Sequence, residues 1–148
     1  MMLNSCPDCG AILNEGTSCQ SIFDSFLTLE FIDPTYGAVH MLTVACFMIQ
    51  HMRYSDAALN WIEKKLRANL DEGIPAERIR QLAADETNQH RRTWKVTRRP
   101  EDPQLQKINW SMTIADIALK YQDAKSYTEL VKQWARITLH EMKPYLTQ

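Results

Sequence analysis

The chain has 148 residues, of which 45% are hydrophobic and 24% charged, and its formal net charge is −1. This length and composition are typical of one soluble domain, residues 1–148, that buries its own core. No run approaches the ~18 apolar residues of a membrane span, and the first residues resemble no signal peptide. We therefore expect no membrane association and a cytoplasmic location. In that compartment the four cysteines are expected to be ligands or core residues rather than disulfides.

The first part of the chain predicts a loop followed by a helix. Glycine and proline interrupt residues 1–17 and predict an irregular segment there. The stretch Thr17-Ser18-Cys19-Gln20 has the spacing of a capping box, with Thr17 as the N-cap of the helix. The helix is predicted to end at Asp33-Pro34, because the residue before a proline avoids helical angles.

A second helix is predicted from near Tyr36 to about Met52, and it is apolar nearly all round. Only about three residues separate it from the first helix, so the two helices must lie antiparallel. We expect residues 18–52 to form the central helical hairpin of the fold.

The remainder predicts four helices and one irregular connection. Ser55 caps a third helix that ends at Gly73, and Ile74-Pro75 opens a short fourth. In residues 88–110 the helical pattern fails, and Trp94-Lys95-Val96 alternates like an extended segment. A fifth helix follows, and a capping box at Ser126-Tyr127-Thr128-Glu129 predicts a sixth. The predicted fold is an all-α bundle of five or six helices, with an N-terminal CxxC loop packed on the first helical hairpin.

The stretch Cys6-Pro7-Asp8-Cys9-Gly10 indicates a metal site. Two cysteines separated by two residues, with a glycine behind them, form a tight turn in which both thiolates can face one ion. A tetrahedral site needs two more ligands. The candidates are Cys19, His40, Cys46, His51, His90 and His140.

The antiparallel hairpin favours Cys19 and His51. Folding the pair about residue 34 places Cys19 level with roughly residue 49, close to His51, and places His40 opposite roughly residue 28. Cys19 also lies in the first turn of its helix, where the dipole favours a thiolate. Cys46 is turned away from His51 and is expected in the core, and His140 suits the dipole at a helix end. We predict one zinc ion held by Cys6, Cys9, Cys19 and His51, with His40 as the alternative fourth ligand.

These motifs resemble a small bacterial family, domain of unknown function 5946. The likeness extends over most of the chain, through His40-Met41-Leu42-Thr43-Val44, Gln50-His51, Glu72-Gly73-Ile74-Pro75-Ala76-Glu77-Arg78-Ile79, Met112-Thr113-Ile114-Ala115-Asp116-Ile117 and Trp134-Ala135. The chain departs from the family pattern at Ala45, where members often have an acid, and at Met52, where they often have proline. If the acid at position 45 is part of a catalytic centre in the family, this chain lacks it. The resemblance implies a fold and a metal site, and nothing about chemistry.

His40 and Gln50 are polar residues on an otherwise apolar helix. A buried polar side chain without a hydrogen-bond partner costs about 1–3 kcal/mol, so we expect both to be satisfied core groups that link helices. The alternative places His40 in a cleft as a general base or a ligand of a second metal. The nearest acid in the sequence, Asp33, precedes the turn, and no carboxylate stands at helical spacing from His40.

A basic segment between the helical regions gives a possible polyanion site. Its members combine positive charge with one aromatic ring, as in surfaces that bind single-stranded nucleic acid: Arg91, Arg92, Trp94, Lys95, Arg98 and Arg99. Charged loops are usually solvated, and Glu101-Asp102 neutralise part of this charge. We expect a solvated connection, in which replacement of Arg98 and Arg99 changes stability by less than ~0.5 kcal/mol.

Three classes of function fit the sequence. The first is a binding module for a protein partner, in which zinc has a mainly structural role. The second is a metal-dependent enzyme with an open metal position near His40 or His90. The third is a thiol-based redox switch that releases the metal when its cysteines are oxidised.

Overall fold

The computed structural model describes residues 3–88 and 94–146. It confirms the predicted helical bundle: among these residues there are six α-helices and one pair of short strands. The strands are β1 (Leu3–Ser5) and β2 (Ile12–Asn14). The helices are α1 (Cys19–Ile32), α2 (His40–Gln50), α3 (Asp56–Leu70), α4 (Ala76–Asn88), α5 (Ile114–Lys120) and α6 (Ala124–Glu141), with short 3₁₀ helices at Pro34–Val39 and Lys143–Tyr145.

The N-terminal segment is a β-hairpin rather than the irregular loop expected. β1 and β2 pair antiparallel, with Leu3 opposite Asn14 and Ser5 opposite Ile12. Each strand has only three residues, which is too short for an alternating hydrophobic pattern to be recognised. The turn between the strands contains the CxxC sequence, so the hairpin presents both cysteines at one end.

Two predicted capping boxes are displaced along the chain. The N-cap of α1 is Ser18 rather than Thr17, and Ser18 and Ser21 exchange side-chain to backbone hydrogen bonds of 3.0 Å. The N-cap of α6 is Asp123, and Ser126, the predicted N-cap, occupies the third helical position. In both helices a serine takes the place of the glutamate or glutamine that defines the usual box, which is why the sequence pattern misplaced it.

The link between α1 and α2 is longer than predicted: seven residues, 33–39, separate the two helices instead of about three. The Asp33 side chain accepts a hydrogen bond of 3.1 Å from the Thr35 backbone N–H, and the 3₁₀ helix Pro34–Val39 follows at once. α2 therefore begins at His40 rather than near Tyr36, and it ends at Gln50. The two helices lie antiparallel, since the last turn of α1 contacts the first residue of α2.

The core is centred on the packing of α2 against α6. Its fully buried side chains include Phe47 and Ile49 from α2 and Tyr127, Val131 and Trp134 from α6. α3 packs on α6, α4 packs on α3, and α5 packs on α1 and α6. Within residues 3–88 and 94–146, no helix has both the length and the apolar character needed to cross a bilayer.

A cluster of four aromatic rings joins the far end of α1 to the C-terminal helices. Phe26 meets Tyr127 edge-on with ring centroids 5.2 Å apart, and Tyr36 meets the same ring at 5.1 Å. Tyr121 contacts the other three rings at 5.8 to 6.2 Å. Edge-to-face pairs contribute about 0.5–1.5 kcal/mol beyond the area they bury, so this cluster stabilises the end of the bundle opposite the cysteines.

The segment after α4 returns as an extended chain beside the start of α3. The Ser55 backbone N–H donates to the Val96 carbonyl at 2.9 Å, and the Arg98 N–H donates to the Arg53 carbonyl at 2.7 Å. These bonds flank a bridge between Tyr54 and Thr97. The stretch predicted as extended is therefore paired with backbone on one side, and none of the described residues from 94 to 113 is helical.

Candidate metal centre

Four side chains meet where the β-hairpin packs on the bundle. The ligand atoms of Cys6, Cys9, Cys19 and His51 all lie within 4.8 Å of one another. Cys9, Cys19 and His51 are buried, and Cys6 is partly buried. The structure thus brings together the four residues predicted from the sequence, in a group that could hold a metal ion.

The turn that carries Cys6 and Cys9 is fixed by its own backbone. The Cys6 N–H donates to the Ala11 carbonyl at 2.8 Å, and the Gly10 N–H donates to the Cys6 carbonyl at 2.9 Å. Gly10 has φ of 79°, in the left-handed region that side chains other than glycine's avoid. These backbone bonds and the left-handed glycine form the turn that directs both sulfurs to the same side.

Cys19 reaches the group from the first turn of α1. Its Sγ lies 3.6 Å from the Sγ of Cys9. Two sulfurs bound to one tetrahedral zinc at ~2.3 Å are ~3.8 Å apart, whereas those of a disulfide are ~2.05 Å apart. The spacing of the two cysteines matches a shared metal ion and not a covalent bond.

His51 follows α2 directly and completes the group. Its Nδ1 lies 2.7 Å from the Phe47 carbonyl oxygen, and because a carbonyl only accepts, this nitrogen carries the hydrogen. Nε2 is then an acceptor, and it is buried with no hydrogen-bond partner among the described residues. Metal-bound histidines commonly donate their second nitrogen to a carbonyl in this way. The ring also lies against Phe47, with centroids 4.3 Å apart.

The chain turns sharply after His51. Met52 has φ of 57°, and the neighbouring N–H groups of Met52 and Arg53 bond to the carbonyls of Ile49 and Met48 at 3.1 and 3.0 Å. This is the left-handed helix end that glycine usually adopts, here formed by a methionine. The strained turn holds His51 at the end of α2 while the chain leaves towards α3.

The sulfurs influence one another's ionisation. The hydrogen bond from the Cys19 thiol lowers the pKa of Cys9 to about 4, against the opposing effect of burial, and His51 and the Ala11 N–H act in the same direction. The same contact raises the pKa of Cys19. One thiolate and one thiol are therefore favoured in the metal-free pair, and the thiolate is the form that binds metal.

The remaining candidate ligands lie elsewhere. Cys46 is fully buried in the core, and burial raises the pKa of its thiol to about 12. His140 is exposed in the last turn of α6, where the dipole favours it, as expected. His90 lies outside the described residues.

His40 differs from the expectation for a core group. Its side chain is 50% exposed, because α2 begins at His40 on the surface, directly after the 3₁₀ helix. Its Nδ1 lies 2.7 Å from a carboxylate oxygen of Glu30, in the last turn of α1. This partner was missed because only acids near His40 in the sequence were considered. The antiparallel hairpin, which places His40 opposite roughly residue 28, could have found it.

Gln50 is buried in the core and links helices, as predicted, but only its Nε2 is satisfied, because Oε1 has no hydrogen-bond partner among the described residues. Its side chain is fully buried, and Nε2 donates to the Met112 carbonyl and to the Thr138 hydroxyl, both at 3.0 Å. These bonds connect α2 to α6 and to the segment before α5.

Arg98 is not the solvated surface residue that was expected. Its side chain is only 9% exposed and forms an ion pair with Asp56 at 2.8 Å. The guanidinium also donates to the Pro103 carbonyl. Arg98 therefore fixes the extended segment to α3 and is not available as a free phosphate contact.

Other members of the basic segment are also engaged. The Arg99 guanidinium lies 3.5 Å from carboxylate oxygens of both Glu101 and Asp102. These two acids therefore neutralise part of the basic charge, as we expected from the sequence. Trp94 packs edge-on against Trp61, with centroids 5.7 Å apart. Lys95 is exposed. The other two predicted contacts, Arg91 and Arg92, lie outside the described residues.

The fold and the site define a helical-bundle protein with a β-hairpin and a cluster of three cysteines and one histidine that could hold a metal ion. The model of a family of unknown function (DUF5946) matches residues 4–143. The chain therefore belongs to this family, as the motifs indicated. No curated protein and no solved structure matches the chain.

Proposed function

We propose that this protein is a binding module whose N-terminal hairpin is held on the helical bundle by one zinc ion, bound by Cys6, Cys9, Cys19 and His51. The observation that carries the proposal is the Nε2 atom of His51, which is buried beside three sulfurs and has no hydrogen-bond partner within residues 3–88 and 94–146. An unpaired buried acceptor costs about 1–3 kcal/mol, and a metal ion at this position removes that cost.

The donor set supports zinc and a structural role. Thiolates combined with one imidazole in a tetrahedral arrangement are typical of structural zinc sites. Four protein ligands leave no position for water, so the ion would act by joining the hairpin to α1 and to the end of α2. Reduced thiols at such a site also support the cytoplasmic location that we propose.

Elemental analysis of protein purified without chelator tests the metal directly. We expect one zinc per chain in the wild type and in Cys46→Ser, whose sulfur is buried in the core away from the site. Cys19→Ser should lose most of its zinc. Wild-type protein without zinc, or Cys19→Ser with full zinc, would contradict the proposal.

Cobalt substitution separates the structural role from a metal-dependent enzyme. A closed site with three thiolates should give an intense tetrahedral thiolate spectrum that small anions leave unchanged. An enzyme site with an open position would change its spectrum when azide or cyanide is added. A five-coordinate spectrum, or one that anions shift, would favour the enzyme.

A redox switch is the second candidate, favoured by the 3.6 Å approach of Cys9 to Cys19. Peroxide would take two electrons from these two thiolates, forming one disulfide as the peroxide is reduced to water, and the metal would be released. Peroxide-dependent zinc release that a dithiol reductant reverses is the expected result. Zinc release without a Cys9–Cys19 disulfide in the oxidised protein, as determined by peptide mass spectrometry, would argue against this switch.

Exposed apolar side chains support a protein as the partner. Leu3, Ile12 and Leu119 are 63%, 61% and 82% exposed, and they line one cavity of about 530 Å³ between the β-hairpin and α5. Apolar patches of this kind commonly mark interaction sites. Wild-type protein and Phe31→Ser, which removes an exposed ring outside the cavity lining, should recover the same complex from cell extract. Ile12→Ser with Leu119→Ser should not recover it.

A further inference from the structure

A second concave site lies at the opposite end of α2 from the metal centre. It is a cavity of about 380 Å³ between the start of α2 and the start of α4, a volume within the range of small-molecule sites. Its lining combines apolar surface with three groups that can ionise. The apolar side chains include Pro34, Met41 and Pro75, and the ionisable ones are His40, Glu77 and Arg80.

The Glu30 carboxylate orients the imidazole of His40 at this cavity. Since the 2.7 Å contact joins Glu30 to Nδ1, the hydrogen lies on that nitrogen when the ring is neutral, and Nε2 is left as an acceptor. Half of the His40 side chain is exposed and the residue lines the cavity, so its ring can contact a ligand there. A carboxylate that fixes the tautomer of a histidine is a common arrangement in functional sites.

Stability alone does not account for this pair. The Glu30 side chain is only 14% exposed, and its second oxygen is buried without a hydrogen-bond partner among residues 3–88 and 94–146. Burying a carboxylate with incomplete hydrogen bonding is unfavourable. Glu30 therefore lowers the stability of the fold, and in return it holds the ring of His40 in one orientation at the wall of the cavity.

Two opposite charges lie on the facing wall. Glu77 and Arg80 are three residues apart on α4, and both are exposed. Neither has an ion-pair partner in the part of the chain that the structure describes. The cavity therefore offers a guanidinium for an anionic group and, in Glu77 and His40, two acceptors for a cationic donor.

We propose that this cavity binds a zwitterionic small molecule of the amino-acid type. Arg80 pairs with the carboxylate, Glu77 and Nε2 of His40 accept hydrogen bonds from the ammonium, and the apolar walls contact the side chain. None of these residues belongs to the metal centre, so this site can be tested independently of zinc.

Three probes that share one side chain test the charge pattern. We would titrate the zinc-loaded protein with L-leucine, with 4-methylpentanoate, which lacks the ammonium, and with isopentylamine, which lacks the carboxylate, and follow backbone NMR shifts of α2 and α4. L-leucine should bind at least ~10-fold more tightly than either half-molecule, since each half-molecule lacks one of the two charged groups that form hydrogen bonds in the cavity; a tenfold change in affinity corresponds to about 1.4 kcal/mol. Equal affinity for all three, or no shifts around the cavity up to the solubility limit of leucine, would overturn the proposal.

Variants assign the roles of the residues. Arg80→Gln should weaken leucine binding at least ~10-fold, whereas Arg78→Gln, a matched change on the same helix outside the cavity lining, should leave it unchanged. Equal effects of the two variants would refute the assigned contact. Both should keep the zinc content of the wild type.

Glu30 is a positioning residue, and its variant has a separate readout. In Glu30→Gln, the ring-nitrogen NMR signals of His40 should lose their strong preference for hydrogen on Nδ1, and leucine affinity should fall. If circular dichroism shows that Glu30→Gln is unfolded, His40→Gln tests the role of His40 instead. This variant should retain the fold and bind leucine more weakly. Unchanged leucine affinity in a folded variant of either residue would contradict the proposed role of His40.

Discussion

The sulfur atoms of Cys9 and Cys19 face each other at 3.6 Å from two separate elements, the turn of the β-hairpin and the first turn of α1. The contact joins a segment with little core of its own to the end of the helical bundle. Because this distance already matches that of two zinc ligands, metal binding needs little rearrangement of either element. The two elements are therefore expected to respond differently to loss of the metal.

Chelation of zinc should release the hairpin and leave the bundle folded. β1 and β2 pair over only three residues, and a hairpin of this size has little stability by itself. The packing of α2 against α6 does not depend on the four residues of the candidate metal centre. We expect backbone amides of residues 3–14 to lose hydrogen-exchange protection by at least ~10-fold after chelation. The far-ultraviolet circular dichroism should remain helical. Loss of the helical signal together with the zinc would show that the bundle depends on the ion.

The stability of Met52 variants should depend on how well the new residue tolerates the left-handed backbone conformation at this position. A left-handed conformation costs residues other than glycine roughly 1–2 kcal/mol, and β-branched residues tolerate it least. Met52→Val should therefore be less stable than Met52→Gly by at least ~1 kcal/mol, measured by urea denaturation with zinc present. The same pair of changes at Met48, inside α2, is the control. There glycine should be the less stable or equal variant, because helical φ suits valine better.

Arg98 and Arg99 should differ although they are adjacent and identical. Arg98→Gln removes a nearly buried ion pair and the hydrogen bonds to Pro103, so it should lower the free energy of unfolding by about 1–3 kcal/mol. The Arg99 side chain is 62% exposed, so Arg99→Gln should change the free energy of unfolding by less than ~0.5 kcal/mol. Equal denaturation midpoints for the two variants would show that Arg98 does not anchor this segment.

The N-cap of α6 should give the protein a stability dependence at low pH. The hydrogen bond from the Ser126 backbone N–H lowers the pKa of Asp123 in the folded state, whereas the unfolded value is about 3.9. The stabilisation is therefore fully present above about pH 4 and is lost as the pH falls through the lower folded-state pKa. Asp123→Asn keeps an acceptor at the cap but does not titrate. Its melting temperature should lie below that of the wild type at pH 7, and the difference should shrink below pH 4.

A control acid makes that comparison specific. Asp85 is exposed on α4, beyond the first turn of that helix. Asp85→Asn should change the melting temperature little at pH 7, because this carboxylate caps none of the described helices. A difference for Asp123→Asn that persists unchanged at pH 3 would exclude ionisation as its cause.

The metal group could be predicted from sequence because each step depends on local geometry. Cys6 and Cys9 are placed by one turn, Cys19 by a helix start, and His51 by the length of the hairpin that brings it back. None of these steps requires the packing of the other helices. The same geometry, applied to the last turn of α1, would have paired Glu30 with His40.

Features that depend on distant partners were not predictable in the same way. The role of Arg98 is set by Asp56, 42 residues earlier, and by a backbone carbonyl that the fold brings near. The caps of α1 and α6 were misplaced because several serines and threonines compete at each helix start, and only the final backbone angles decide between them. Local patterns specify which groups can act, and tertiary contacts select among them.

The four residues of the candidate metal centre all lie within residues 6–51, whereas one hydrogen bond of the buried Gln50 amide requires Thr138, 88 residues further on. On a ribosome that adds ~5–20 residues per second, these 88 residues take roughly 4–18 s to make. During that interval the nascent chain already contains every residue of the candidate metal centre but lacks the complete helix α6, which packs on α2. If the site binds an ion as proposed, this order of synthesis would let the ion bind first and fix the β-hairpin before α6 packs on α2.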